Sequence, residues 1–362
     1  MHTSEQAPST RSRTSSSALT AAAVGLGGAL ALALLAALVR HEPTPRGDDL
    51  IYERIALHPF ATHTFPFGYR IGLPLLVHLL PLGTGPAFYL LALAAAAGAG
   101  AFAYLLMRRL GSDARVAAVL ALLMCVSPPF LIVLIREGRN TDIATVMLMM
   151  AATYFLVCRA YWKLAAVLLL GVVVREALLF VLPLAYAVWA ERPLDRRAAA
   201  WTLAVGAPAA AAYIALRLGL QTVGEGSVPG YGGSLLGERF TVIKEGLRTP
   251  FREARRMFTV YGPLWLVAPP ALRGMRFARR GLVLVALCVV AMTFALDWGR
   301  MILLAAPVFY PAAAFVLTRH PRWRAPVYAA MLALAVGYAI YMDHSGVQSG
   351  IIENGLPPYP VR

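Results

Sequence analysis

Apolar residues in this chain run in long uncharged blocks rather than alternating or recurring on one helical face. Ala18–Val39, Ala87–Met107 and Val116–Ile135 each hold about the 20 residues that a helix needs to cross a hydrocarbon layer. Continued along the chain, the pattern predicts nine full crossings: 18–39, 87–107, 116–135, 143–158, 198–216, 257–272, 281–296, 301–317 and 325–342. The stretch 164–190 differs, because Arg175-Glu176 interrupts it near the middle. One long crossing would bury that pair near mid-bilayer. Two short arms, 164–174 and 177–190, would turn back at the pair and hold it near a surface. Ile71–Leu82 is apolar but short and carries Pro74 and Pro81, so it is expected at the interface rather than across it. The Ala/Gly-rich run 91–103 predicts close helix packing.

Composition narrows the class. The chain is 59% hydrophobic and 14% charged, whereas a soluble domain is about 25% charged. A soluble protein and a nucleic-acid-binding protein are excluded despite the net charge of +15, because in a membrane protein such an excess reports topology. With the N-terminus inside and 164–190 folded as a hairpin, the inner segments collect 17 of the 33 basic residues. They collect only four acids: Glu5, Asp113, Glu191 and Asp195. A single crossing at 164–190 would send three compact basic clusters outside, so the hairpin is preferred. Broken helices are tolerated in membranes only where protein covers them or a cavity opens beside them, which makes the hairpin a pointer to a site.

The expected architecture is an all-α polytopic transmembrane bundle of nine crossings plus a helical hairpin, about 11 membrane segments in all. Residues 1–17 are expected as a disordered cytoplasmic tail and 18–342 as the transmembrane domain. That domain has outer loops at 40–70 and 218–256, and 343–362 form an outer C-terminal tail. The first apolar run is longer than a signal-peptide core and has no clear cleavage site, so it is read as an anchor. The expected location is the cytoplasmic (inner) membrane, multi-pass, with membrane lipids as partners and no nucleic acid.

The remaining acids gather on the other side, several beside arginines at helix mouths. The first outer segment carries Asp48, Asp49, Glu53 and Arg54, then His58, His63 and Tyr69-Arg70. Further along come Arg136-Glu137-Gly138-Arg139-Asn140-Thr141-Asp142, the tip Arg175-Glu176, and Asp297-Trp298-Gly299-Arg300. Ionisable groups at membrane depth are costly and are usually functional or paired. Arginine stays charged and meets phosphate through a planar fork. A carboxylate beside it can take a proton from an incoming hydroxyl. His58, His63 and His78 lack metal-ligand spacing, Cys125, Cys158 and Cys288 read as packing residues, and Trp162, Trp189, Trp298 and Trp323 read as interface anchors.

This layout resembles the C-type, polyprenyl-phosphate-dependent membrane glycosyltransferases, the group of the protein mannosyltransferases and aminoarabinose transferases. The stretches that carry the resemblance are GDDLIYERIALHPFATHTFPFGYRIGLPLL, REGRNTDIATVMLMMAATYFLVCRAYWKLAAVLLLGVVVREALLFVLP and DWGRMILLAAPVFYP. The resemblance implies a C-type fold and transfer of a sugar from a polyprenyl-phosphate donor to an acceptor at the outer face, with inversion. It places the catalytic acid on Asp48 or Asp49. Substrate-binding positions would be Arg70, Arg139, Asn140, Asp142, Arg175, Glu176, Asp297 and Arg300. No metal-ligating residues are assigned and no cofactor is fixed, though a divalent metal is compatible with the family chemistry. Two other classes share the same charges: a transporter or flippase of an anionic lipid or solute, and a non-catalytic membrane assembly protein. An enzyme requires the outer acids and arginines to converge, and the assembly reading requires them to point apart.

Overall fold

The computed structural model describes residues 10–39, 48–64, 66–136, 138–223, 247–248, 250–292 and 298–345. Much of the expected N-terminal and C-terminal tails, residues 40–47 and 224–246 of the two outer loops, Glu137 and Asp297 lie outside the described residues. The elements used below are α1 (Thr10–Ala37), α2 (Asp48–Leu57), α3 (Gly72–Leu79), α4 (Thr84–Arg109), α5 (Ala114–Cys125), α6 (Pro128–Ile135), α7 (Asp142–Val157), α8 (Tyr161–Val174), α9 (Val181–Trp189), α10 (Arg196–Gly219), α11 (Pro250–Tyr261), α12 (Arg276–Ala291), α13 (Trp298–Leu303), α14 (Ala306–Arg319) and α15 (Arg324–Ser345). Apart from a two-residue parallel bridge, His63–Thr64 with Thr222–Val223, the regular structure described is helical.

Among the described residues, five segments are long and apolar enough to cross a membrane: Ser17–Ala37, Thr84–Arg109, Ala114–Ile135, Arg196–Gly219 and Pro321–Met342. The protein is a multi-pass helical membrane protein. Within Ala114–Ile135, Pro128-Pro129 restart the chain as α6 after α5 ends at Cys125, and proline accounts for much of what is shorter elsewhere. The stretch expected as a crossing at 257–272 breaks into the end of α11, Leu264–Val267 and Ala271–Gly274. Its breaks fall at Gly262-Pro263 and Pro269-Pro270, where proline lacks the amide that a helix would use. The stretch expected at 301–317 divides into α13 and α14, with proline in the first turn of α14.

The stretch 164–190 is a hairpin. Arg175 is extended (φ −162°, ψ 129°) between α8 and a 3-10 turn, Glu176–Phe180, that leads into α9. The feet of the two arms meet: the Tyr161 and Trp189 ring centroids are 5.2 Å apart. Trp189 Nε1 donates to Leu156 O at 3.2 Å, near the C-terminal end of α7. The tip reaches Asp142, at the N-terminal end of α7. Trp189 is therefore buried against α7 rather than anchoring an interface, whereas Trp162 is exposed.

α7 thus has a tip end and a foot end. The foot end gathers basic segments: Arg280 Nη1 donates to Val188 O at 2.5 Å, Arg324 Nε to Leu317 O at 2.9 Å, and Arg108 Nη1 to Ser112 O at 2.6 Å. Asp113 caps α5 there by accepting from the Arg115 and Val116 amides. Between the ends, α1 and α4 approach backbone to backbone. A Cβ on Gly25 would lie 2.2 Å from Ala97 O, so only glycine allows this contact.

Two predictions follow from these contacts. Gly25→Val should force α1 from α4 and cost about 1–3 kcal/mol, seen as a lowered unfolding midpoint in detergent. Asp113→Ala should cost about 1 kcal/mol through the lost cap. The amide of Val116 holds the Asp113 carboxyl below its ordinary value of 3.8. Its contribution is therefore complete above that value and is lost as pH falls through the lower folded value, so the wild type and Asp113→Ala should converge in acid.

Candidate active site

At the tip end, α2 begins with two acids in its first turn, where the helix dipole favours negative charge. Asp49, Tyr52, Ile55 and Ala56 point inward at helical spacing. Asp49 is 1% exposed and pairs with Arg136, which follows α6. One turn on from Asp49, Glu53 pairs with Arg139 and accepts from Thr84 Oγ1 at 3.1 Å. Asp48 lies on another side of α2 and pairs with Arg300 of α13.

The turn 136–141 is shaped by Gly138. Its φ of +67° is a left-handed conformation, and a Cβ there would lie 2.6 Å from Ala92 Cβ and 2.8 Å from Phe88 O. The turn thus lies flat on α4 and aims Asn140 and Asp142 at the cluster. Asn140 Oδ1 accepts from the Asp142 amide at 3.2 Å and from Arg300 Nη2 at 3.1 Å. Asp142 sits between two guanidiniums. Arg175 from the hairpin tip takes Oδ1, and Arg300 Nε lies 2.9 Å from Oδ2.

The neighbouring tip residue, Glu176, is held by Arg70 through two parallel bonds, Nε to Oε2 at 3.0 Å and Nη2 to Oε1 at 2.5 Å. Arg70 also stacks near Phe67 and donates from Nη1 to Tyr52 Oη at 3.4 Å. Tyr52 Oη lies 3.4 Å from Thr141 Oγ1, which closes the network back to the turn.

Nine of the ten site positions expected from sequence converge: Asp48, Asp49, Arg70, Arg139, Asn140, Asp142, Arg175, Glu176 and Arg300. The tenth, Asp297, is outside the described residues. Sequence reasoning passed over Arg136, Glu53 and Tyr52 as site members. The signal was present, since Tyr52 and Glu53 follow Asp49 by three and four residues, which is one face of a helix.

Burial sorts the acids. Asp49 and Asp142 side chains are 1% and 2% exposed, whereas Asp48, Glu53 and Glu176 are 27%, 24% and 34% exposed. Among the described residues the paired cluster has five carboxylates and five guanidiniums. An anion entering it must exchange with a carboxylate for an arginine, and the accessible carboxylates are the ones that can be displaced. His63 Nε2 lies 2.7 Å from His58 O and His78 Nδ1 lies 2.9 Å from Ala56 O, so both rings engage backbone. Among the described residues, no group of three or more His, Cys, Asp or Glu side chains is arranged to hold a metal ion.

No protein-family model and no curated protein sequence matches this chain. Solved structures do match. The Archaeoglobus fulgidus oligosaccharyltransferase in complex with zinc and sulfate superposes with a TM-score of 0.52 at 14% identity, covering 86% of this chain and 53% of that one. The same enzyme tethered to an acceptor peptide with the NVT sequon gives 0.48 at 14% identity, covering 91% and 56%. This chain spans about half the length of those proteins. The likeness is one of fold: a multi-pass helical bundle shared with the oligosaccharyltransferase over most of this chain.

Removing one partner of a buried ion pair strands the other charge. Arg136→Met should cost about 3–5 kcal/mol in unfolding experiments, and the double variant Asp49→Leu/Arg136→Met should recover most of that loss.

Proposed function

We propose that this protein is a membrane glycosyltransferase that moves a sugar from a polyprenyl-phosphate donor to a hydroxyl-bearing acceptor. The observation that carries the reading is the convergence of α2, the 136–141 turn, the hairpin tip and α13 on one charged cluster, in a bundle that shares its fold with the oligosaccharyltransferase. The work of such a site is to stabilise a leaving phosphate with fixed positive charge and to take a proton from the acceptor. Arg300 and Arg70, paired with the accessible Asp48 and Glu176, supply the first function, and Arg175 holds Asp142 beside them.

Asp48 supplies the second. It is the accessible carboxylate on Arg300, whereas Asp49 is sealed against Arg136 and serves to hold α2 in place. When the donor phosphate takes the Arg300 guanidinium, Asp48 is released to accept the hydroxyl proton. The acceptor oxygen then bonds to the anomeric carbon. The bond from that carbon to the phosphate oxygen breaks, and the phosphate leaves with the electron pair. Displacement from the opposite face inverts the anomeric centre.

A divalent metal is compatible with chemistry of this class, but the residues here do not fit one. The oxygens that would hold it, on Asp48, Asp142 and Asn140, are bound by Arg300.

The orientation we propose puts the tip end and its site at the outer face of the cytoplasmic membrane, with the N-terminus inside and the C-terminus outside. The excess of basic residues in the foot-end segments supports it.

The test is transfer of label from a panel of polyprenyl-phosphate sugars by purified, reconstituted protein. Asp48→Asn should lower turnover by about 10²–10⁴-fold with little change in donor binding, the range for loss of a general base. Asp49→Asn should act mainly through stability. If the panel yields neither transfer nor donor binding, the proposal fails. Donor translocation across proteoliposomes without transfer would assign the same cluster to a transporter.

A further inference from the structure

The surroundings of Arg300 are the oxygen set of a hard cation. Asp48 Oδ2, Asp142 Oδ2 and Asn140 Oδ1 come from α2, the start of α7 and the turn before it. Two carboxylates and one amide carbonyl from separate segments are the ligands that magnesium, manganese or calcium ordinarily gather. In this protein one guanidinium takes all three. Nη1 pairs with Asp48, Nε lies 2.9 Å from Asp142 Oδ2, and Nη2 donates to Asn140 Oδ1 at 3.1 Å. Nη1 and Nη2 make hydrogen bonds to Asp48 and Asn140, and Nε faces Asp142 Oδ2 as an ion pair. Arg300 is carried on α13, which is itself buried through Gly299, Ile302 and Leu303.

The charge around this point argues the same way. Arg175, 3% exposed, pairs with the other oxygen of Asp142. A dication arriving here would share Asp142 with a second fixed positive charge and would have to expel Arg300 from Asp48, Asp142 and Asn140. The other acids of the cluster have guanidiniums of their own: Asp49 with Arg136, Glu53 with Arg139, and Glu176 with Arg70.

We propose that Arg300 is a built-in substitute for a divalent cation, so that this chain binds its anionic donor without a metal. The inference rests on the proposed glycosyltransferase reading and concerns how the donor phosphate is met. Arginine suits the role because it remains charged at every relevant pH, and its planar fork can trade carboxylate oxygens for phosphate oxygens. A bound metal would depend on supply and on deprotonated ligands. A guanidinium carried on a helix does not.

The experiment reads metal binding directly, apart from transfer, so its outcome is independent of whether the protein proves to be an enzyme. Untagged, metal-stripped, full-length protein in detergent is titrated with Mn²⁺ and with Zn²⁺ by calorimetry. The wild type should show no stoichiometric site tighter than about 1 mM. Arg300→Gln frees the three oxygens and should gain a Mn²⁺ site at least about tenfold tighter, which Arg300→Gln/Asp48→Asn loses again. Donor binding by the wild type should survive a chelator within about twofold. One Mn²⁺ or Zn²⁺ bound per wild-type chain, and weakened about tenfold or more by Asp48→Asn or Asp142→Asn, would overturn the proposal. So would an Arg300→Gln variant that folds yet gains no affinity for Mn²⁺. If that variant does not fold, the wild-type titration decides alone.

Discussion

The tip end of this bundle is organised by one constraint: a guanidinium carried into a low-dielectric interior must bring its counter-charge with it. Arg136, Arg175, Arg139, Arg70 and Arg300 are all largely buried, and each meets a carboxylate from a different segment of the chain. Such pairs do little for stability, because desolvation takes back most of the Coulomb attraction. Their effect is positional. Asp142 cannot leave Arg175 or Arg300 without stranding a charge, and the same holds for Asp49 and Arg136. Segments far apart in sequence are thereby held in one register: the first turn of α2, the turn before α7, the hairpin tip and α13.

The helical frame serves this requirement by stopping short. A continuous crossing at 164–190 would have placed Arg175-Glu176 among apolar side chains. The extended residue at Arg175 instead halts α8, and the 3-10 turn sends the chain back to meet α7 at Trp189. Gly138 does comparable work in the turn, where its left-handed backbone and missing Cβ let the chain lie against α4. The frame is tight elsewhere too, as the backbone contact of Gly25 with Ala97 shows. Close packing of small residues supplies cohesion in a bundle that lipid cannot drive together hydrophobically.

Among the described residues each guanidinium of the cluster meets a carboxylate, so on the proposed reading an anion gains access by exchange rather than by filling an empty basic site. Exchange at the rim, where Asp48, Glu53 and Glu176 retain some exposure, disturbs the frame least. Exchange at Asp49 or Asp142 would dismantle it. On the proposed reading, the division between accessible and sealed acids is also a division between groups that act and groups that hold position.

Membrane class, helical content, the hairpin and the charged segments were legible in the sequence, because bilayer thickness imposes a run length and unpaired charge is excluded from it. Asp48 and Asp49 were equivalent as adjacent letters. Only the tertiary structure separated them, since neighbours on a helix point about 100° apart and face different partners. The pairing of Arg136 with Asp49 and of Arg300 with Asp48, Asn140 and Asp142 was likewise undetermined by sequence. Those contacts depend on how α2, α7 and α13 lie beside one another, and no local pattern records that. The broken stretches at 257–272 and 301–317 had their prolines in plain view, yet apolarity alone read them as continuous. Hydropathy measures what a segment can be buried in, whereas where it bends is decided by the backbone amides that proline removes and by the packing that takes their place.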